Sequence, residues 1–184
     1  MNTDTSYPET TNAILKLLED KGHRRAYCKA KTEIGKQLEI PRLNLACAIG
    51  YGNVVRNLLR EADVDVNARD TTCGLTPLIW AARMGHEAVV KQLLDNCDVD
   101  VNAKDIEGGL TSLSWAVRMR HEAVVIHLLD GGRADRSCKD SSGRTPLSLI
   151  IGDHTGKILT LLLEKGAEAN FTHIEVSQSD FGKI

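Results

Sequence analysis

The chain has 184 residues, a formal net charge of −2, 42% hydrophobic residues and only 4% aromatic ones. That length suits one domain with modest tails, and its core has to be built from Leu, Val, Ile and Ala rather than rings. The near-neutral balance excludes nucleic-acid binding driven by bulk positive charge, and no run of roughly 18 apolar residues offers a helical membrane span. The opening MNTDTSYPETT has neither a basic nor an apolar region, so no secretory signal is expected and the cytosol or nucleus is the expected compartment. Cys28, Cys47, Cys73, Cys97 and Cys138 are odd in number and form no CxxC pair, which argues against a disulfide framework or a zinc site. No cofactor is expected.

In chain order, residues 9–21, ETTNAILKLLEDK, are predicted to form a helix. Thr10 or Thr11 can cap it, Ile14, Leu15, Leu17 and Leu18 give it an apolar face, and Gly22 ends it. The basic run Lys21, Arg24, Arg25, Lys29 and Lys31 follows, most simply as a solvated linker. Residues 1–42 therefore read as an N-terminal capping helix and linker.

From residue 43 the chain repeats itself. The copies are 43–69, 70–104, 105–139 and 140–171. Thr76 and Thr111 stand 35 residues apart, Thr111 and Thr145 stand 34 apart, and Leu43 lies 35 before Leu78. Each copy opens on a first helix, with Thr76 or Thr145 as cap and Pro77 or Pro146 where an N–H would be unpaired anyway. Small residues follow at Ala46, Ala81-Ala82 and Ala116, so that a neighbouring helix can come close. Gly50 and Gly85 break the chain where a left-handed conformation is expected. A second helix carries Val89, Val90, Leu93 and Leu94 on one side, then Asp-Val-Asn-Ala and a Gly-containing turn return to the next copy. One such unit cannot bury its apolar face alone, whereas stacked copies can. The last copy, with Gly152, Asp153 and Gly156 in IIGDHTGKILTLLL, has a poorly specified first helix and reads as an end cap. Residues 172–184 show no period and read as a tail.

The segments TPLIWAA at Thr76–Ala82, GHEAVV at Gly85–Val90 and VNA at Val101–Ala103 resemble the ankyrin repeat, over about residues 43–171. The spelling is similar to that of fungal ankyrin arrays. The resemblance implies an all-α solenoid of stacked helix-turn-helix units with β-turn fingers, and a concave face that binds a partner. Several positions depart from the family. Its His after Thr-Pro-Leu is replaced by Ile79, Ser114 and Ser148, so the hydrogen bond it makes between neighbouring fingers is expected to be lost. Arg120 replaces the inter-helix Gly, a strain of about 1 kcal/mol if the turn is left-handed. The copies at 70 and 105 carry one extra finger residue.

The candidate sites follow from these positions. His86 and His121 occupy the family's Gly-His position and are expected to cap or pack. Trp80 and Trp115 are equivalent residues on successive first helices, suited either to a binding hot spot or to packing between repeats. Arg83-Met84 and Arg118-Met119 follow the small residues, at positions that the family exposes to its partner. With Arg120 near, two or three guanidinium groups in a row suit an acidic segment, and methionine adds adaptable apolar contact; a merely solvated charged face is the alternative. The finger tips at Thr71, Thr72, Ile106 and Glu107 are the second candidate surface, with Ser141 and Ser142 in the last finger. Asn67 and Asn102 are expected to bond within their own finger turns. In animal ankyrin proteins an Asn eight after a Leu, as Asn67 is after Leu59 and Asn102 after Leu94, is also a hydroxylation target.

No His-x-x-x-His, Cys–His cluster, nucleophile elbow or phosphate loop stands out, and Gly108-Gly109 fall in a finger. The leading reading is a monomeric, non-enzymatic interaction module (adaptor, inhibitor or regulatory subunit) for a protein partner offering an acidic or apolar segment. The competing class is an enzyme or pathway protein acting directly on a small molecule, and a passive remnant of a longer array is a third reading.

Overall fold

A computed structural model of the protein describes residues 40–71, 73–150 and 156–167. The helix expected over residues 9–21, the basic run, Thr72 and the tail 172–184 lie outside them. The described residues are helical, with no strand among them. The helices are α1 (Arg42–Ile49), α2 (Gly52–Leu58), α3 (Pro77–Met84), α4 (Glu87–Leu94), α5 (Ser112–Arg118), α6 (Glu122–Asp130) and α7 (Gly156–Glu164). Between α6 and α7 the first helix of the last copy is only a 3-10 turn, Pro146–Leu149. None of these helices is long and apolar enough to cross a membrane.

Two rows result. The first helices α1, α3 and α5 and the 3-10 turn stack in succession, and the second helices α2, α4, α6 and α7 form a parallel row against them. The first helices begin alike: the hydroxyls of Thr76, Thr111 and Thr145 accept from the amides of Ile79, Ser114 and Ser148. This satisfies one of the donors that a helix start leaves unpaired. Thr111 caps as well as the others although Ser112 follows it instead of proline.

Close approach in the first row depends on Ala46, Ala81, Ala82 and Ala116, each at most 1% exposed. One continuous apolar cluster runs through the array, from Leu43 and Val55 through Leu78, Val90 and Leu93 to Leu113, Val125 and Leu128, and on to Ile158 and Leu162. Fully burying a Leu or Val contributes about 1.5–3 kcal/mol, so each added copy brings its own burial term and stabilises the neighbour it covers.

The Gly-His pair locks adjacent copies together. Gly50 and Gly85 have φ of 82° and 76°, the left-handed region. The ring of the next copy's histidine lies on each: a Cβ on Gly50 would stand 2.6 Å from His86 Nδ1, and one on Gly85 2.6 Å from His121. His86 Nε2 lies 3.0 Å from the Ala48 carbonyl and His121 Nε2 lies 3.1 Å from the Arg83 carbonyl. A carbonyl only accepts, so both Nε2 atoms carry the proton. The histidines therefore pack and bond backward to the preceding copy; neither side chain caps its own helix.

Arg120 holds the same turn with φ 62°, the only non-glycine residue at positive φ among the described ones. In the sequence Thr155 stands 34 residues after His121, so no histidine ring at that spacing calls for a bare glycine beneath it. Replacing Arg120 with Gly should raise unfolding stability by up to about 1 kcal/mol, because glycine relieves the left-handed strain. Gly85→Ala should lower it by at least about 1–2 kcal/mol, since the methyl meets both the strain and the His121 ring. Urea denaturation of the two variants checks both signs.

Cys47 is fully buried in α1, and burial pushes its thiol pKa well above the usual range, whereas Cys97 is exposed. Since the thiolate is the reactive form, an alkylating reagent should label Cys97 at once. It should reach Cys47 only as fast as the α1–α3 contact opens, which mass spectrometry of timed labelling can follow.

Candidate partner-binding face

The candidate face begins at a carboxylate. Asp70, Asp105 and Asp140 stand 35 residues apart at the start of successive fingers, and they are 3%, 5% and 7% exposed. Asp70 accepts from the amides of Cys73 and Leu75, Asp105 from those of Gly108 and Leu110, and Asp140 from those of Ser142 and Arg144. In the first two of these fingers Oδ2 also meets the first helix. Asp70 Oδ2 accepts from Trp80 Nε1 at 2.8 Å, and Asp105 Oδ2 from Trp115 Nε1 at 2.7 Å. In the last copy no tryptophan is present, and Arg144 Nε occupies the same oxygen of Asp140 at 2.8 Å. The aspartate thus folds the finger and fixes the indole in one act.

With both indoles held, the arginines stack on them. The Arg83 guanidinium lies over Trp80 at 5.6 Å and over Trp115 at 4.4 Å, and that of Arg118 lies over Trp115 at 5.2 Å. Trp80, Arg83, Trp115 and Arg118 form a ladder along the first-helix row. Guanidinium groups favour aromatic faces, and stacking leaves their in-plane N–H donors available. Neither guanidinium has an ion pair or hydrogen-bond acceptor among the described residues. Both tryptophans also pack on the core edge, beside Leu75, Ile79 and Ala103. Part of each ring packs between copies, and part carries an arginine.

The other candidate residues are dispersed around this ladder. Met84 is half-buried and Met119 is 45% exposed beside Arg118. Arg120 is exposed in the turn after α5. At the finger tips Thr71 is exposed, Ile106 is 67% exposed, and Glu107 accepts from the Cys73 thiol at 3.3 Å. Thr72 lies outside the described residues.

Charge is segregated between the two rows. Helices α1, α3 and α5 contain no Asp or Glu. Three acids of the second row have partners in the next copy: Glu87 lies 3.0 Å from His127, Glu122 2.8 Å from Lys157 and Asp130 2.6 Å from Lys165. Unpaired positive charge is thus left on the first-helix side of a chain whose net charge is −2.

One expectation about the fingers changes, and another contact takes the place of the bond expected to be lost. The side chains of Asn67 and Asn102 bridge consecutive copies instead of bonding within their own turns. Asn67 donates to the Asp98 carbonyl at 2.7 Å and accepts from the Asp100 amide at 2.7 Å. Asn102 does the same with Arg133 and Asp135. Within the turn the acceptors are Asp65, Asp100 and Asp135 instead, each taking the amide two residues on. The fingers also remain joined without the family histidine. The Ile106 amide donates to the Cys73 carbonyl at 3.0 Å and the Ser141 amide to the Gly108 carbonyl at 2.8 Å. Lys104 Nζ reaches the Lys139 carbonyl at 2.8 Å. In the first copy, buried Asn44 stands in that histidine's position and donates to the carbonyls of Ala68 and Leu75, both at 2.8 Å.

Sequence reasoning did not pick out the buried aspartates, Asn44 or Arg133. Arg133 gathers the carbonyls of Leu94, Asn96, Cys97 and Val99 at the end of α4. The aspartates had a readable signal, an Asp ten residues before each Trp at a 35-residue interval.

Stacked helix pairs, bonded fingers and a Gly-His lock define a repeat protein of the solenoid class. A family profile described as ankyrin repeats (3 copies) matches residues 13–105 and 43–135, and the chain belongs to that family. Ankyrin repeats are generally protein-interaction modules and typically non-enzymatic. A comparison with curated proteins gives no match. Among the described residues no three His, Cys, Asp or Glu side chains are grouped to hold a metal.

Removing Asp105 should expose its structural role. Asp105→Ala leaves two amides and the Trp115 indole N–H without their acceptor, and should destabilise the fold by about 2–4 kcal/mol. Arg118→Ala removes only a half-exposed stack and should shift stability by less than about 1 kcal/mol. Chemical denaturation of the two single variants separates the supporting residue from the surface one.

Proposed function

We propose that the protein is a non-enzymatic, monomeric adaptor, inhibitor or regulatory subunit of the cytosol or nucleus, and that it holds a protein partner on its concave first-helix face. The observation that carries this reading is the ladder of Trp80, Arg83, Trp115 and Arg118, whose guanidinium groups are oriented by the indoles and unclaimed by any carboxylate among the described residues. A stabilising role alone gives little reason to keep two cations together on a face without acids. An interface enriched in Trp and Arg is the kind in which a few anchors dominate affinity. Met84 and Met119 add apolar surface that can adapt to the partner. The second-helix row is a weaker candidate, because several of its acids already have partners in the next copy. An enzymatic role on a small molecule has less support: the departures from the repeat are scattered Ser, Arg and Gly residues, and they do not converge on an acid, base or nucleophile.

The test is affinity capture with the wild type, with the double change Arg83→Glu and Arg118→Glu, and with Lys91→Glu on the second-helix row. Titration of the captured partner at constant salt follows. The double change should keep the melting temperature nearly unchanged and lower affinity at least about tenfold, roughly 1.4 kcal/mol, because rim-like arginines contribute little to folding but much to an interface. Lys91→Glu should bind as the wild type does. Equal affinity for all three would move the site to the finger tips at Thr71, Ile106, Glu107, Ser141 and Ser142.

A further inference from the structure

The ladder carries information about what the partner presents. Arg83 and Arg118 both rest on Trp115, with guanidinium carbons 4.4 and 5.2 Å from its ring centroid. That holds the two cations within about 10 Å of each other, close enough to repel in physiological salt. Nothing among the described residues neutralises them: α3 and α5 contain no acid, Asp70 and Asp105 turn their carboxylates into the fingers and the indole N–H groups, and Glu107 is bonded to Cys73. The indoles that carry them are held in place, because each is tied at Nε1 to a buried aspartate. The site is therefore a pair of like charges gathered on one indole within about 10 Å of each other, and its complement is a pair of anions within a similar distance.

An extended chain supplies a spacing inside that bound. It rises about 3.3 Å per residue and alternates sides, so side chains two residues apart share one side about 7 Å from each other. Adjacent side chains point to opposite sides, and those six apart are about 20 Å distant. We propose that the face reads two acidic side chains two residues apart in an extended partner segment, Asp/Glu-x-Asp/Glu, one carboxylate on each of the guanidinium groups of Arg83 and Arg118. This rests on reading the first-helix face as the protein-binding site, and it adds spacing as the basis of selectivity. Charge-assisted bonds to a stacked guanidinium are directional, so a segment of equal charge and wrong spacing engages one arginine at a time.

The experiment uses the protein's own fluorescence. The chain has two tryptophans, Trp80 and Trp115, and both belong to the ladder. Three ten-residue peptides in one Ala/Ser background are titrated into the full chain at matched ionic strength: two Glu at spacing two, two Glu at spacing six, and two Gln at spacing two. The spacing-two Glu peptide should change the emission and bind at least about fivefold tighter than the spacing-six peptide, while the Gln peptide gives no response. Arg118→Gln, checked as folded by its melting curve, should abolish the difference between spacings. Equal affinities for the two Glu peptides, no response to either, or a spacing preference that survives Arg118→Gln would each overturn the proposal. If the peptides fail while the charge-reversed double variant still loses its captured partner, the face stands as the site and only the acidic pair is wrong. If the captured partner ignores the charge reversal, the face itself is wrong.

Discussion

Burying a carboxylate costs several kcal/mol unless its oxygens are fully engaged, and this chain does it at the root of three successive fingers. Asp70, Asp105 and Asp140 each turn the finger by accepting two of its amides; Asp70 and Asp105 also accept from the indole of the helix that follows, and Asp140 from the Arg144 side chain. Without that acceptor the finger amides would be orphaned and the indoles of Trp80 and Trp115 would lose the bond that orients them. The stacked arginines depend on the indoles in turn. A surface feature is thus set by a buried polar interaction one layer below it, which is how a solenoid of small repeats can hold long side chains in place.

The same economy appears between copies. The interfaces draw on a few elements repeated at about 35 residues: alanines that let the first helices meet, a histidine that lies on the glycine of the preceding copy and bonds a nearby carbonyl, an asparagine that bridges loops, and a backbone bond between finger tips. Stability in such an array is close to a sum of repeat terms and nearest-neighbour terms. Redundancy of this kind explains why departures from the family pattern are tolerated. The fingers lack the family's bridging histidine at Ile79 and Ser114, yet amide and lysine bonds tie them together. Arg120 sits in a left-handed turn that elsewhere holds glycine, at the one position for which the sequence provides no following histidine.

Charge follows the architecture. Three acids on the second helices meet a basic side chain one copy away, while the first helices carry arginine and no acid. A chain with a net charge near zero therefore presents a positive strip on one side. Total charge says nothing about this; only the assignment of each residue to a row does.

Much of the fold was legible in the sequence because a repeat states its own register. The 35-residue spacing, the Thr caps, the Gly-His pair and the second-helix valines and leucines each dictate a local structure, and copies that cannot bury their apolar faces singly have to stack. The positions of Trp80, Arg83, Trp115 and Arg118 on successive first helices followed from that register alone. Their arrangement did not. Whether an indole is packed or exposed, which oxygen holds its N–H, and whether an arginine stacks or reaches solvent are decided by atoms of neighbouring copies. Those contacts join residues ten or more apart in sequence through a three-dimensional interface. Asn67 and Asn102 show the limit plainly: an Asn in a turn suits a local bond, and stacking offered it a carbonyl and an amide of the next copy instead. Local preference is encoded residue by residue, whereas competition between local and distant partners is settled only once the copies are stacked and the nearer, better-satisfied bond is available.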